Sequence, residues 1–279
     1  MTYEEALEYI NGANRFGKKL GLENIRTLLG MLGDPQKELR FVHVAGTNGK
    51  GSTSAFIGSI LSQAGYRTGI YTSPYLQRFT ERIAISRPAA DGQENGAPGT
   101  AAMAAGCRGT GRKTYREEIS EDELAGITAL VRDCADKMAG EGKNRPIMFE
   151  IVTAIALEYY RRKKCDIVVL ETGMGGRFDA TNAIDVPELA VITTISRDHT
   201  QRLGNTLPEI AFEKAGIIKE GGDVLVYDQE PEVMQVFEDA CRDRGARLHR
   251  VDFSKIRLHG FGPDGQVFSY RELEGLRIS

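Results

Sequence analysis

The stretch His43–Thr53 reads HVAGTNGKGST, and it joins an apolar run, Arg40–Ala45, to a helical pattern at Ser52–Gln63. A glycine-rich turn between a strand and a helix brings backbone N–H groups close to phosphate oxygens, and the helix N-terminus adds partial positive charge. Lys50 is placed to put an ammonium on the terminal phosphates, and a following hydroxyl suits Mg²⁺. The pattern predicts nucleotide-phosphate binding by Asn48, Gly49, Lys50, Gly51, Ser52 and Thr53.

This turn departs from the common phosphate-loop pattern at two positions. Val44 occupies the place of the first glycine, and Gly51 is inserted between Lys50 and Ser52. A glycine-rich turn that binds no ligand is the alternative interpretation. Glycines on both sides of a lysine, between a strand and a helix, favour phosphate binding over that alternative. The motif alone indicates nucleotide phosphates and leaves the reaction open.

Short runs rich in Val, Ile and Leu alternate with helical patterns along the rest of the chain. Strand-like runs follow at Arg67–Thr72, Asp166–Leu170, Leu189–Ile195 and Asp223–Tyr227, and helical patterns at Glu150–Arg161 and Leu207–Ala215. Near-continuous apolar strands separated by helices are typical of a parallel sheet that is covered on both faces. We therefore predict an α/β fold, a mostly parallel sheet with helices on both faces, similar to a P-loop NTPase.

Two segments interrupt this alternation. Residues 86–114 are rich in Gly, Ala and Pro and have no apolar period, which predicts a long disordered surface loop. After Leu258, short alternating pieces with glycine turns replace the strand–helix rhythm, and Gln266–Tyr270 is one of them. We assign residues 1–258 to one nucleotide-binding domain and residues 259–279 to a β-rich tail.

The composition argues against several partners and compartments. The net charge is −3, from 36 basic and 39 acidic residues, which gives no electrostatic reason to expect nucleic acid or an anionic membrane. The four cysteines form no C-x-x-C pair and no zinc pattern with histidine. The acidic N-terminus is unlike a signal peptide, and no apolar stretch is as long as a membrane span. We expect a cytoplasmic monomer with reduced thiols.

Polar residues follow several of the predicted strands. Gly46, Ser73, Glu171 and His199 each come just past a strand's carboxyl end. Those ends share one edge of a parallel sheet, where ligands bind. A hydroxyl, a carboxylate and an imidazole at one edge suit a divalent cation, although histidine is an atypical ligand for Mg²⁺. The residues themselves leave open a strand-end carboxylate that caps a turn and a histidine that is only a polar turn residue.

Five segments, taken in chain order, carry a resemblance to a known family. They are GLENI (Gly21–Ile25), GTNGKGST (Gly46–Thr53), TSPYLQRFTERI (Thr72–Ile83), LETGMGGRFDATN (Leu170–Asn182) and DHTQRLGNTLPEIAFEKAGIIK (Asp198–Lys219). Together they resemble the Mur ligase superfamily, and the glycine after Lys50 resembles its folylpolyglutamate synthase/dihydrofolate synthase branch. The resemblance implies ATP-dependent ligation of L-glutamate to dihydropteroate or a folate, through an acyl phosphate, with ATP and two Mg²⁺ ions as cofactors.

The resemblance also implies metal-binding and catalytic roles for individual residues. The family's metal ligands match Ser52, Ser73, Glu171 and His199, and its catalytic positions match Lys50, His199 and Lys214. The matching lysine of the family is carbamylated, so we expect Lys214 to carry a carbamate that acts as a carboxylate-like ligand. Without the resemblance, Lys214 is interpreted as a surface lysine paired with Glu209 or Glu213, and such pairs contribute little to stability.

The family's pterin site matches a further group of positions: Phe149, Glu150, Asp179 and Ala180. Ile147 and Met148 stand where the family has a threonine and an aromatic residue. For Phe149, core packing is the competing interpretation.

In complete members of the family, a smaller α/β domain follows and supplies much of the glutamate site. No segment resembling the family's Gly-x-His-Gln hinge precedes Ser279. We therefore expect that domain to lie outside this chain and turnover by the chain alone to be negligible. A peptidoglycan-branch Mur ligase and a non-catalytic nucleotide-binding fragment are the alternatives. Gly51 and the DATN sequence disfavour the first, and the retained site residues disfavour the second.

Overall fold

An eight-stranded mixed sheet forms the centre of the protein. The computed structural model describes residues 1–13, 21–88, 114–198, 200–262 and 265–270. The strands of this sheet are β1 (Phe41–Ala45), β2 (Thr68–Tyr71), β3 (Ile83–Pro88), β4 (Thr114–Glu118), β5 (Ile167–Glu171), β6 (Leu189–Ile192), β7 (Asp223–Tyr227) and β8 (Arg247–Val251). Their order is β4-β3-β2-β5-β1-β6-β7-β8, and β3 runs in the direction opposite to the other seven strands. A separate antiparallel hairpin consists of β9 (Ile256–Gly262) and β10 (Gly265–Tyr270).

Helices cover both faces of the sheet. They are α1 (Tyr3–Gly12), α2 (Glu23–Met31), α3 (Lys50–Gln63), α4 (Glu121–Gly140), α5 (Met148–Arg162), α6 (Thr200–Leu203), α7 (Leu207–Ala215) and α8 (Pro231–Asp243). Successive side chains of β1 point to opposite faces. Phe41 belongs to a core with α1, α2, α4 and α5, whereas Val42 packs with residues of α3. Ala45, on the same face as Phe41, belongs to a third core with α7 and α8.

The predicted α/β fold with a mostly parallel sheet is confirmed. Strands β1 and β5 are buried along their whole length, which is why each reads as a continuous apolar run in the sequence. Local sequence also explains where α7 begins, since the hydroxyl of Thr206 caps the helix and Glu209 completes a capping box. That start places Lys214 in the last turn of α7.

Three features of the sheet differ from the sequence-based expectation. The ends of the predicted loop at 86–114 are paired strands, because Ser86 lies opposite Arg116 and Pro88 lies opposite Thr114. The rest of that loop, 89–113, lies outside the described residues. Strand β8 was not predicted, and the predicted boundary after residue 258 falls inside β9. Among the described residues, no helix has both the length and the apolar character to cross a membrane.

Candidate active site

The glycine-rich turn after β1 is braced by the segment that follows β6. The hydroxyl of Thr193 donates to the backbone carbonyl of Asn48 at 2.7 Å. The hydroxyl oxygen of Thr47 accepts from the backbone N–H of Ser196 at 3.1 Å. Gly46 has a φ of 149°, and a Cβ at this position would overlap Oγ1 of Thr193. The close approach of the two segments therefore requires glycine at position 46.

The bracing residues Thr193, Thr194 and Ser196 were not predicted as site residues. The expected strand ran to Ile195, but β6 ends at Ile192, so these hydroxyls belong to the sheet edge. A row of hydroxyl-bearing residues at the end of an apolar strand was the available signal in the sequence.

Lys50 and Ser52 lie in the first turn of α3. The helix begins directly after Gly49, whose φ of 81° places it in the left-handed region. The ammonium of Lys50 donates to the carbonyl of Thr47 at 3.1 Å and so folds back over the turn. Ser52 is exposed on the same turn of the helix. A cation and a hydroxyl at a helix N-terminus are suited to bind phosphate and its metal ion.

Two other predicted phosphate-binding residues make side-chain contacts with neighbouring segments. The amide of Asn48 donates to the hydroxyl of Ser196 at 3.2 Å. The hydroxyls of Thr53 and Tyr227 lie 3.3 Å apart, which ties α3 to the end of β7. These contacts fix the orientation of the turn relative to the sheet.

Glu171 connects three strand ends at this edge. It is the last residue of β5 and is only 3% exposed. Its Oε2 accepts from the backbone N–H of Ser73 at 3.3 Å. The same oxygen is 3.6 Å from where a Cβ on Gly51 would stand. Burial raises the pKa of Glu171 to about 7, and the nearby Lys50 opposes this rise.

The residues around Glu171 fit a divalent cation. Its desolvated carboxylate lies beside Ser73 and against the start of α3, where phosphate oxygens would complete the coordination. No group of three His, Cys, Asp or Glu residues with metal-binding geometry occurs in the described part of the chain. Hydroxyl, phosphate and water ligands are what Mg²⁺ takes beside one or two carboxylates. The fourth predicted ligand, His199, lies outside the described residues.

Lys214 reaches the glycine-rich turn from α7. Its ammonium donates to the carbonyl of Gly46 at 2.8 Å, and the residue is 3% exposed. Burial, together with the positive charge of Lys50, lowers the pKa of Lys214 to about 8. The interpretation of Lys214 as a surface lysine is therefore wrong. Glu209, one of the partners expected under it, accepts from the backbone N–H of Thr206 instead.

The carboxylate of Asp179 accepts hydrogen bonds within the turn that follows Glu171. It accepts from Met174 N at 2.8 Å, from Thr181 N at 3.1 Å and from the Thr181 hydroxyl at 2.6 Å. A backbone hydrogen bond from Gly173 adds a fourth donor, and burial raises the pKa of the carboxyl. The buried Ala180 starts a short 3₁₀ helix directly after it. Four donors fill the acceptor positions of a carboxylate.

His43 supports this carboxylate from inside the sheet. Its Nε2 lies 2.9 Å from the hydroxyl oxygen of Thr181, which itself donates to Asp179. Since that hydroxyl has a single proton, Nε2 of His43 must be the donor. Complete burial lowers the pKa of His43 to about 3, so the ring is neutral. No sequence pattern predicted this buried chain of hydrogen bonds.

The two predicted pterin-site residues at the start of α5 have different surroundings. The ring of Phe149 lies against Gly173, where a Cβ would overlap it, and 6.1 Å from the ring of Tyr71. Phe149 thus stands beside the turn that follows Glu171. The carboxylate of Glu150 accepts from Ile147 N at 2.8 Å and caps the helix. Its hydrogen bonds are directed to the protein rather than to the site.

Comparison with known proteins identifies the family. Residues 127–261 match the model of the Mur ligase middle domain. The dihydrofolate synthase/folylpolyglutamate synthase of Bacillus subtilis (strain 168) is 39% identical over 275 residues, which are 98% of this chain and 57% of that protein. This chain belongs to the folylpolyglutamate synthase/dihydrofolate synthase family of Mur ligases.

Solved structures of folylpolyglutamate synthases share the fold. The apo form of the enzyme from L. casei superposes with a TM-score of 0.80 at 31% identity, over 98% of this chain and 60% of that one. A folylpolyglutamate synthase complex with AMPPCP and folate gives the same four values. The chain therefore spans about three fifths of the length of these Mur ligases.

Proposed function

We propose that the protein is an ATP-dependent ligase that joins L-glutamate to dihydropteroate or to a folate, and that this chain carries the ATP and pterin sites. The observation that carries the proposal is the meeting of Gly51, Ser73 and Glu171 at one sheet edge. The relatives described above are named as folate-type ligases, which favours this substrate class over the UDP-linked precursors of the peptidoglycan branch.

The nucleotide phosphates bind at the glycine-rich turn. Backbone N–H groups at the start of α3 face the phosphate oxygens, and Lys50 places its ammonium on the terminal phosphates. Ser52, Ser73 and Glu171, joined by His199 on the family resemblance, hold the metal ions. Mg²⁺ at these residues supplies charge neutralisation on the phosphate oxygens.

The ligation proceeds in two steps. A carboxylate oxygen of the pterin substrate attacks the γ-phosphorus, the bond to the β-phosphate oxygen breaks, and ADP leaves. The amine of glutamate then attacks the carbonyl carbon of the acyl phosphate, inorganic phosphate leaves, and the new amide nitrogen loses its proton. The ammonium of Lys50 opposes the negative charge that gathers at the turn.

Lys214 takes up carbon dioxide in this proposal. Its lowered pKa leaves a useful fraction of neutral amine near pH 8. That amine adds to CO₂, a proton is released, and the resulting carbamate provides a negative group next to the turn. Native mass spectrometry in bicarbonate buffer should show the added mass of one CO₂, which acid removes. Lys214→Met should abolish the addition, whereas the exposed Lys143→Met should retain it.

Calorimetry with a non-hydrolysable ATP analogue tests the nucleotide site. In the presence of Mg²⁺ the chain should bind the analogue, and Lys50→Met should weaken binding by about 10-fold or more because a charge-assisted contact is lost. Lys143→Met serves as the exposed control. Equal affinity of the Lys50 variant and the unmodified chain would contradict the assignment.

Competition between substrate classes tests the pterin site. Dihydropteroate should bind to the chain, and a UDP-linked muramoyl peptide precursor should not displace it. Preferential binding of the UDP-linked precursor would instead assign the protein to the peptidoglycan branch.

A further inference from the structure

Arg82 is a buried cation at the edge of the candidate active site. It is the last residue of the 3₁₀ helix Phe79–Arg82, immediately before β3, and is 8% exposed. Its backbone carbonyl accepts from the N–H of Thr72, the residue before Ser73. Its guanidinium carbon lies 5.0 Å from the ring centre of Tyr75 and 5.6 Å from that of Phe79. These contacts place the cation beneath the loop that carries Ser73.

No counter-ion for Arg82 is found among the described residues. Its Nε is buried and makes no hydrogen bond to any of them. The carboxylates of Glu81, the preceding residue, and of Glu118, on the neighbouring strand β4, are engaged elsewhere. Glu81 accepts from the backbone N–H groups of Leu76 and Arg78, and Glu118 is paired with the side chain of Arg78.

A buried cation without a partner is costly unless a ligand supplies the opposite charge. Burial raises the pKa of Glu171, an acidic group of the site. The positive charges of Lys50 and Arg82 both oppose that rise in pKa. Yet Glu171 is directed to Ser73 N and to the start of α3. The charge of Arg82 therefore acts on Glu171, but no salt bridge joins the two residues.

We propose that Arg82 binds the reacting carboxylate of the pterin substrate, a role that rests on the proposed ligase function. An incoming carboxylate must approach both the triphosphate and Glu171, and it needs a cation to offset their repulsion. Lys50 is directed to the turn and Lys214 to the carbonyl of Gly46. Arg82 is therefore the cation available to the substrate, and its planar guanidinium can donate two parallel hydrogen bonds to a carboxylate. The rings of Tyr75 and Phe79 hold it in place and exclude water.

Two probes that differ only in the carboxylate test the proposal. The first is 7,8-dihydropteroate, and the second is its analogue with hydrogen in place of the carboxylate. The chain contains no tryptophan, so the ligand fluorescence can be followed directly. The unmodified chain should prefer the carboxylate probe by about 10- to 100-fold, the range of a charge-assisted pair. Arg82→Met should remove that preference and leave binding of the second probe unchanged.

A matched control and a ligand-free measurement separate recognition from packing. Arg87→Met removes an exposed arginine of β3 and should retain the full preference. Without ligand, Arg82→Met should raise the melting temperature, on the order of 2–4 °C, because an unpaired buried charge is removed. Loss of both probes to the same extent with a lower melting temperature would mean that Arg82 only packs against its two rings.

The remaining outcomes also decide between the two proposals. If Arg82→Met keeps the preference for the carboxylate, the role of Arg82 is wrong and the pterin site stands. If the unmodified chain binds neither probe, the pterin part of the proposed function fails, and the role of Arg82 fails with it.

Discussion

The ammonium of Lys214 donates to the backbone carbonyl of Gly46 at 2.8 Å, and 168 positions of sequence separate the two residues. The bond joins the last turn of α7 to the first residue of the glycine-rich turn. It places a desolvated amine next to the proposed phosphate site. The lowered pKa of Lys214, about 8, follows from this burial.

Lys214→Met should make stability less dependent on pH. The pKa of Lys214 in the folded state, about 8, lies below the usual lysine value of 10.5. Below pH 8 both states hold the proton and the folded state bears the cost of a buried charge. Between about pH 8 and 10.5 only the unfolded state keeps the proton, so the stability of the unmodified chain rises with pH. In CO₂-free buffer the variant should be more stable at pH 7 by up to about 3 kcal/mol.

Urea unfolding across that pH range measures the effect. The difference between the variant and the unmodified chain should shrink as pH rises from about 8 to 10. Lys143→Met, at an exposed position, should show no such trend. A difference that stays constant with pH would show that Lys214 is not desolvated in solution.

Gly46→Ala should disrupt the phosphate turn. The new methyl group would overlap Oγ1 of Thr193, and the φ of 149° is unfavourable for alanine. We expect a loss of roughly 2–3 kcal/mol of stability and little nucleotide binding. Gly21→Ala is the matched control, because Gly21 has a φ of 147° but open space around the position of a Cβ.

The comparison isolates the contact with Thr193 from backbone strain. Gly21→Ala should cost about 1 kcal/mol and leave nucleotide binding intact. Equal effects of the two variants on nucleotide binding would rule out a special role for the close approach at Gly46.

The parallel core of the sheet could be predicted from the sequence because burial on both faces of a strand requires a local run of apolar residues. β1 and β5 are apolar on both faces, so their sequences are continuous apolar runs. The edge strands β4 and β8 carry no such run. β8 reads RLHRV and lies mostly exposed, so its pairing with β7 determines its conformation. Propensity is a weak guide at such edges.

The site residues divide in the same way. The glycine-rich turn and Glu171 were recognisable because each lies beside its strand in the sequence. Thr193 and Arg82 were not recognisable from the sequence. The contact of Thr193 is with a distant segment, and the proposed role of Arg82 depends on the absence of a counter-ion among the described residues. The carboxylate of Glu150 caps α5, a role that the local pattern did not predict, and its place in the pterin site stays a prediction.

Asp179→Asn should destabilise the protein even without ligand. An amide would direct its NH₂ group at one of the donors, Met174 N or the Thr181 groups, that now bind the carboxylate. We expect a loss of about 2–4 kcal/mol in the free energy of unfolding. Asp239→Asn, at a half-exposed position, is the control and should change stability little. Unchanged stability with weaker dihydropteroate binding would instead support a direct contact between Asp179 and the pterin.

Glu171→Gln should change stability and metal-dependent binding in opposite directions. Burial raises the pKa of Glu171 in the folded state to about 7, above the usual glutamate value of 4.5. Between about pH 4.5 and 7 only the folded state binds the extra proton, so the stability of the unmodified chain falls as pH rises through this window. Without metal, the glutamine variant should therefore gain up to about 3 kcal/mol over the unmodified chain near pH 8 and nothing near pH 4.

Nucleotide binding with Mg²⁺ should show the functional role of the same carboxylate. In the unmodified chain, affinity for the ATP analogue should fall by up to about 10-fold per pH unit below pH 7, as the proton competes with the metal ion. In the glutamine variant it should be weak and independent of pH. Glu188→Gln, which removes an exposed carboxylate paired with Arg40, should follow the unmodified chain. A glutamine variant that keeps the full pH profile would exclude Glu171 as the metal ligand, since no other titrating carboxylate lies beside both Ser73 and Gly51 among the described residues.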